Sequence, residues 1–355
     1  MEYTDIVRCF DIDENIVECR PYGAGHINST FLLTAENGKR YLLQAVNTEV
    51  FRDPEGVMEN ISRVSAHLRA KEGDPRRVMT AVPARDGGYL CQDLGKTWRV
   101  LDYVENSLCL ELAENTDDVY ECGFAFGNFQ RLLADFDASV LCETIPNFHN
   151  TPKRYADLLS AAERDVCGRL AGVTEEMELI KKREPLISVL ADAYEKGIIP
   201  LRVTHNDTKI NNVLLDKGTR KALCVIDLDT VMPGFSVNDF GDGIRTSAAT
   251  AAEDERDLSK VHFDIELYKA YARGFVDGCG GGLTEAEIEI LPIGAMLMTL
   301  ECGMRFLTDY LSGDTYFKTS YAEHNLVRCR TQLKMLAEMS EQLSAMRAAV
   351  GAGNL

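Results

Sequence analysis

The sequence predicts an α+β chain of two lobes, a small antiparallel-sheet lobe followed by a larger, mainly helical one. Three observations predict it. Short strand-like runs separated by glycine and asparagine turns crowd the N-terminal part. Apolar residues spaced by three and four, the period of an α-helix, dominate the remainder of the chain. One hairpin-like stretch interrupts those helices, and it is the motif region. The boundary falls near residue 104, giving lobes 1–104 and 105–355.

Each element has a local reason. Ile16–Tyr22 and Thr30–Thr34 read as strands flanking a glycine turn, and Arg40–Val46 as a third strand after the hairpin turn Asn37-Gly38. Asp53 is a good N-cap and Pro54 a good first helical residue, which predicts a helix over 54–69. Arg77–Val82, Gly88–Gln92 and Trp98–Tyr103 read as three more strands, two of them joined at Asp86-Gly87-Gly88. In the second lobe Val119, Cys122, Phe126, Phe129 and Leu133 form one helical face. Thr284 and Glu287 make a capping box before another helix. Leu326, Cys329, Leu333, Leu336, Met339, Leu343 and Met346 stripe one long terminal helix, a packing face. Gly278–Gly282 reads as a loop, with no strand feeding it as a phosphate-binding turn would need. The interrupting stretch runs from Arg202–His205 through a loop into two short strands, Val213–Leu215 and Leu223–Leu228, around Asp216-Lys-Gly218.

Composition narrows the class. The 355 residues are 45% hydrophobic, enough for two cores. The longest apolar run, Leu291–Leu300, is too short to span a bilayer, and Met1-Glu-Tyr-Thr-Asp does not look like a signal peptide. The 11 cysteines are scattered without a Cys-x-x-Cys pair, which fits free thiols in a cytoplasmic protein. A net charge of −18 disfavours nucleic acid and anionic membrane as partners, because phosphate surfaces need basic footprints.

The chemistry concentrates in Val203-Thr-His-Asn-Asp-Thr-Lys-Ile-Asn-Asn-Val213, a His-x-Asp-x-x-x-x-Asn pattern, with Ile226-Asp-Leu-Asp229 after it. A kinase-like fold uses such a pair to set one base near a hydroxyl and two ligands on a metal. Asp207 is then the base and aligner, Lys209 reaches the γ-phosphate, and His205 braces the loop. Asn212 and Asp227 offer one neutral and one charged oxygen, a set that suits magnesium. Asp229 has two readings, a further metal ligand or a loop support.

Upstream, Tyr22-Gly-Ala-Gly-His-Ile-Asn-Ser-Thr30 lies between the first two strands. Gly23 and Gly25 would let backbone N–H groups approach nucleotide phosphates, with Asn28 and Ser29 as added donors; a plain hairpin turn explains the same residues. Trp98–Glu105, with Tyr103 near its end, fits the connection where adenine packs. The third strand departs from the kinase pattern, carrying Gln44 where a lysine usually holds the α/β-phosphates.

These stretches resemble the aminoglycoside/choline kinase superfamily, of protein-kinase-like fold, and within it the N-acetylhexosamine 1-kinases. Tyr22–Phe31, Tyr41–Gln44, Asn128–Asp135, Ile145–Pro152, His205–Asn212, Val225–Gly234, Asp239–Arg245 and Arg305–Tyr310 all carry the likeness. It implies an enzyme using ATP and Mg2+ to phosphorylate the anomeric hydroxyl of GlcNAc or GalNAc in amino-sugar metabolism. It also implies a sugar pocket drawing on His26, Asp239, Arg245 and Arg305. Asp239 and Asp242 follow the metal segment closely, and arginines can supply fork donors to an acetamide carbonyl. Against this, Asp242 and Arg245 have the spacing of an ordinary helix pair, and Arg305 sits in an apolar segment that a structural ion pair would also explain. Two other functions compete: a kinase of an aminoglycoside, choline, ethanolamine or homoserine-type alcohol, and a non-catalytic nucleotide-binding protein.

Overall fold

The structure, a computed structural model, describes residues 3–23 and 27–351. In chain order the first elements are α1 (Thr4–Arg8), β1 (Ile16–Pro21), β2 (Ser29–Ala35), β3 (Arg40–Val46), α2 (Pro54–Lys71), β4 (Ala81–Val82), β5 (Cys91–Asp93), β6 (Lys96–Asp102) and β7 (Ser107–Cys109). Then come α3 (Thr116–Leu132), α4 (Thr151–Arg164), α5 (Thr174–Lys181), α6 (Glu184–Ile187), α7 (Val189–Glu195), β8 (Arg202–Thr204), β9 (Val213–Asp216), β10 (Ala222–Val225) and β11 (Met232–Gly234). The last are α8 (Ser236–Ser247), α9 (Ile265–Cys279), α10 (Glu285–Leu311), α11 (His324–Glu341) and α12 (Leu343–Ala349). The fold is α+β, with an antiparallel-sheet lobe and a helical lobe. The chain forms two compact units: Met1–Leu108 with Asp135–Pro146 and Leu214–Pro233, and Cys109–Ala134 with Asn147–Val213 and Gly234–Leu355.

In the first unit the strands order as β1-β2-β3-β6-β4, with β5 also paired to β6. All these pairs are antiparallel. Gly38 takes φ +85 in the β2–β3 turn, where Asn37 Oδ1 accepts from Lys39 N at 3.0 Å; this is why Asn-Gly is a hairpin signal. One sheet face buries Leu33, Tyr41, Leu43, Trp98 and Val100 together with Ile6 and Phe10. Helix α2 starts as expected: Asp53 accepts from Gly56 N at 3.0 Å, and Pro54 needs no partner for its nitrogen. The β3–β6 register sets Gln44 directly opposite Arg99.

Two strands of the sheet lobe are markedly shorter than the sequence suggests. The run from Arg77 becomes strand only at Ala81, because Asp74-Pro75 opens a 3₁₀ turn over Pro75–Arg77. The run from Gly88 becomes strand only at Cys91, because Ala84 N bonds to Gly88 O across the turn.

The second unit is a helical mass. Helices α3 and α9 meet backbone to backbone. Gly123 and Gly127 face the carbonyls of Tyr271 and Phe275, while Gly274 and Gly278 face those of Tyr120 and Phe124. A Cβ at any of the four would overlap the opposing carbonyl oxygen. Gly278 and Cys279 therefore belong to α9, not to a loop, and the helix ends at Gly280, in the left-handed conformation at φ +56. Gly127→Ala is expected to destabilise the protein by about 1–3 kcal/mol, the usual cost of forcing a methyl into a packed contact. Thermal or urea unfolding checks this, and an unchanged midpoint would refute the close approach.

Helix α10 carries the expected capping box and extends well beyond the apolar run Leu291–Leu300. By length and composition it could cross a membrane, but 83% of its most apolar stretch is buried, and it packs against α4, α8 and α11. The terminal stripe is split between α11 and α12. The chain leaves helical geometry at Gln342, whose N–H is shared by the carbonyls of Glu338 and Met339.

Candidate active site

The loop after β8 sits in the second unit, and buried side chains fix its backbone. Asp239 on α8 accepts from His205 N at 2.9 Å and Asn206 N at 2.7 Å. The same carboxylate accepts from Gln130 Nε2 at 2.7 Å, and Gln130 Oε1 is held by Ser236 Oγ at 2.7 Å. One turn along α8, Asp242 Oδ2 accepts from Thr208 N at 2.9 Å, while Thr208 Oγ1 donates to Asp239 O at 2.6 Å. These bonds offset the cost of Asn206's left-handed φ of 64. The helix is buried nearly all round, which is why its carboxylates can turn toward the loop.

Asp207 is the reactive-looking member. Its side chain keeps 22% exposure, 2.7 Å from Lys209 Nζ. Asn212 Nδ2 donates to Asp207 O at 2.8 Å and to Asp207 Oδ2 at 3.1 Å. Burial acts to raise the Asp207 pKa, but the Lys209 charge and hydrogen bond outweigh it, helped by His205 and Arg245, and hold the carboxyl below its usual range. It is an ionised acceptor at neutral pH. His205 is buried with its ring edge-on to Phe126 and Phe129, and Asp207 N lies 3.3 Å from its Nδ1. That geometry makes it a loop brace.

A second support reaches the loop from α10. His149 lies between Asn206 O, 2.9 Å from Nε2, and Glu301, 2.8 Å from Nδ1, and Thr151 Oγ1 donates to Glu301 at 2.6 Å. With Glu301 ionised, both ring nitrogens donate and the histidine is an imidazolium. Burial lowers the His149 pKa, but the Glu301 carboxylate reverses this to a net rise; burial raises Glu301, but His149 brings it down. The signs give a pH window. His149 contributes stability fully below its unfolded value of about 6.5, and that share is lost as pH rises through its higher folded value. Glu301 contributes above its unfolded value of about 4.3, and that share is lost as pH falls through its lower folded value. The melting temperature of wild type relative to His149→Gln is expected to be highest near pH 5–6 and to shrink toward alkaline pH. A pH-independent difference would contradict the charged pair.

The expected substrate residues behave differently from one another. Asp239 is fully buried with both oxygens committed to the loop and Gln130. Arg245 donates through Nε to Asp242 at 3.0 Å, a buried bond, and through Nη1 to the more exposed Glu253 at 2.6 Å. Arg305 alone keeps its fork unclaimed. Its guanidinium lies over the rings of Phe148 at 5.2 Å and Phe317 at 5.5 Å and has no hydrogen bond or ion pair among the described residues. Gly25 and His26 lie outside the described residues.

In the first unit Gly23 takes φ +74 and Ser29 is exposed at the start of β2. Asn28 donates to Asp229 Oδ2 at 2.8 Å and accepts from Asn47 N at 2.9 Å. Gln44 Nε2 donates to Thr30 Oγ1 at 3.1 Å, and its Oε1 accepts from Arg99 Nε at 2.9 Å. Tyr103 stands beside Tyr22, hydroxyls 3.3 Å apart, with Arg40 over its ring at 4.1 Å. Asp227 is exposed, in the left-handed conformation at φ 61. Asp229 is buried against Arg99, 2.6 Å from Nη1.

Oxygen donors of the kind a hard divalent cation takes occur in each unit. In the second, Asn212 spends only its amide nitrogen on Asp207 and keeps Oδ1 as a neutral oxygen; in the first, Asp227 is an exposed residue. No cluster of three His, Cys, Asp or Glu occurs among the described residues, so a cation would need oxygens from its ligand as well. Sequence reasoning passed over Arg99, Gln130, His149 and Glu301. The available signal was a charged or amide side chain at an otherwise apolar position, as in Trp98-Arg-Val-Leu.

Sheet lobe, helical lobe and an Asp-centred loop together define a kinase-like phosphotransferase. Residues 18–274 match the model of the APH phosphotransferase enzyme family, and the chain belongs to that family. Solved structures share the fold. An aminoglycoside phosphotransferase from Alicyclobacillus acidocaldarius aligns with TM-score 0.65 at 13% identity, covering 97% of this chain and 95% of that one. A microcompartment-associated aminopropanol kinase aligns with TM-score 0.60 at 18% identity, covering 96% and 97%. An amicoumacin kinase in complex with AMP-PNP, Ca2+ and Ami aligns with TM-score 0.59 at 12% identity, covering 89% and 87%.

Proposed function

We propose that this phosphotransferase moves the γ-phosphoryl group of ATP, with Mg2+, to the anomeric hydroxyl of an N-acetylhexosamine. The observation that carries the transfer itself is Asp207: ionised, partly exposed, and held by a loop whose backbone is clamped at His205, Asn206 and Thr208. Such a group orients an acceptor hydroxyl and takes its proton late, as bonding to phosphorus makes that oxygen acidic. Lys209 beside it provides a positive charge for the transferring group, and its own pKa is held up by Asp207. Asn212 and Asp227 are the proposed metal ligands; the cation, when bound, offsets charge on the phosphates. Gly23, Ser29, Gln44 and Tyr103 are the proposed nucleotide contacts. A neighbouring fold solved with AMP-PNP and Ca2+ supports a nucleotide and a divalent ion as co-reactants.

The acceptor class rests on Arg305. An unpaired guanidinium between two aromatic rings suits an acetamide carbonyl or sugar hydroxyls and repels a cation. Arg154 lies near enough that burial and the Arg305 charge together lower its pKa, against an opposing effect of Glu301. Aminoglycoside, choline and ethanolamine acceptors need carboxylates or a cage there instead. The test is a panel of GlcNAc, GalNAc, glucose, choline, ethanolamine, homoserine and an aminoglycoside with Mg-ATP. An acid-labile phosphate formed from the acetamido sugars is expected. Turnover of a cationic alcohol alone would replace the sugar reading while keeping the kinase.

A further inference from the structure

In the first unit the usual sheet lysine is absent, and so is its usual pairing. Glu59 on α2 is exposed and pairs with Arg63 one turn along, with Nε at 3.2 Å. The positive charge has moved one strand over. Arg99, opposite Gln44 across the β3–β6 ladder, is 1% exposed. Its guanidinium reaches in three directions: Nε to Gln44 Oε1 at 2.9 Å, Nη2 to Asp229 Oδ2 at 2.9 Å with Nη1 2.6 Å from Oδ1, and Nη1 to Met58 Sδ at 3.7 Å.

We infer that Arg99 is the positioning residue of the nucleotide–metal half of the site, and that Asp229 is its anchor rather than a metal ligand. This rests on the kinase reading. Asp229 Oδ2 accepts from both Arg99 and Asn28, while Oδ1, which accepts no hydrogen bond, faces Arg99 Nη1 at 2.6 Å in a side chain only 3% exposed, so the guanidinium stands against both oxygens. That fixes the segment beginning at Asp227, whose left-handed backbone could otherwise relax. Arg99 also occupies the carbonyl end of Gln44, which settles the orientation of the amide. Its –NH2 end points toward Thr30 and retains a second hydrogen for a phosphate oxygen. A neutral glutamine thereby becomes a directed donor, and the fixed charge behind it is the arginine. Through Asn28 the same network holds Asn47 N, so the end of the glycine turn and the end of β3 move with it.

The test needs no acceptor. Binding of ADP with Mg2+ is measured by calorimetry on the full chain for wild type, Arg99→Met, Arg99→Lys and the double variant Arg99→Met/Asp229→Leu, alongside thermal melting. Arg99→Met leaves a buried carboxylate unpaired and is expected to melt earlier. The double variant removes both charges and is expected to recover much of that stability, because apolar replacement of a whole buried pair is often tolerated. Nucleotide affinity, and the Mg2+ concentration at half saturation, are nonetheless expected to worsen about 10–100-fold in the double variant, the usual effect of losing an outer-shell support. Arg99→Lys keeps charge but not the fork and is expected to fall between. A folded double variant that binds Mg-ADP like wild type overturns the inference. Wild type that binds no nucleotide would instead overturn the kinase reading, so the two failures are distinct.

Discussion

Asp207→Asn is expected to lower kcat by about 10²–10⁴-fold, the usual share of a positioned proton acceptor, with nucleotide affinity nearly unchanged. The replacement keeps size and keeps an oxygen that Asn212 Nδ2 can still bond. It removes the charge that Lys209 faces at 2.7 Å and the ionised acceptor that the loop presents. The ground-state lattice of bonds around the loop does not use this carboxylate as its main support; Asp239 and Asp242 hold the backbone. The fold should therefore survive, and the defect should appear in turnover. Steady-state kinetics with Mg-ATP, a calorimetric titration of ADP and a melting curve measure the three quantities separately. Full turnover by the variant would remove Asp207 from the reaction. A large loss of ADP affinity would move it to the nucleotide side.

Much of the fold was legible because its signals are local. Asn37-Gly38 needs a positive φ, Asp53-Pro54 starts a helix, and Thr284 with Glu287 caps one; each is written within four residues. The loop between β8 and β9 was legible for the same reason, since His205, Asp207, Lys209 and Asn212 are neighbours in sequence and share one network in space. The hidden part depends on distant partners. His149 meets Glu301 152 residues away, Gln130 meets Asp239 109 away and Arg99 meets Asp229 130 away. Helix α8 is buried on nearly all its faces, its polar one included. A carboxylate on such a helix can face a ligand or a backbone, and the sequence does not distinguish the two. The units themselves interleave, with Asp135–Pro146 and Leu214–Pro233 returning to the first. No composition shift marks those returns.

Asp239→Ala separates the two roles that a carboxylate at this position could have. If Asp239 contacted the acceptor, its loss would raise the acceptor KM and leave stability alone. The geometry calls for the opposite. Three donors converge on it, the N–H groups of His205 and Asn206 and the amide of Gln130, all in a buried setting. Each buried donor left without a partner costs about 1–3 kcal/mol, with the total less than additive because water can enter the gap. The melting temperature should therefore drop by several degrees or more. The two backbone donors flank the peptide that leads into Asp207, so the loop should also lose its placement. A shift of about 1 Å there can cost on the order of 10²-fold in rate. The expected signature is a joint loss of stability and kcat, with acceptor KM little changed. Asp239→Asn should be intermediate in both, because its one acceptor oxygen can serve some of the three donors. Asp242→Ala offers a matched comparison, since it releases only Thr208 N from the loop while also disturbing Arg245. A stable Asp239→Ala enzyme with a raised acceptor KM and normal kcat would show that the carboxylate turns toward the substrate during catalysis and that the loop is held by other means.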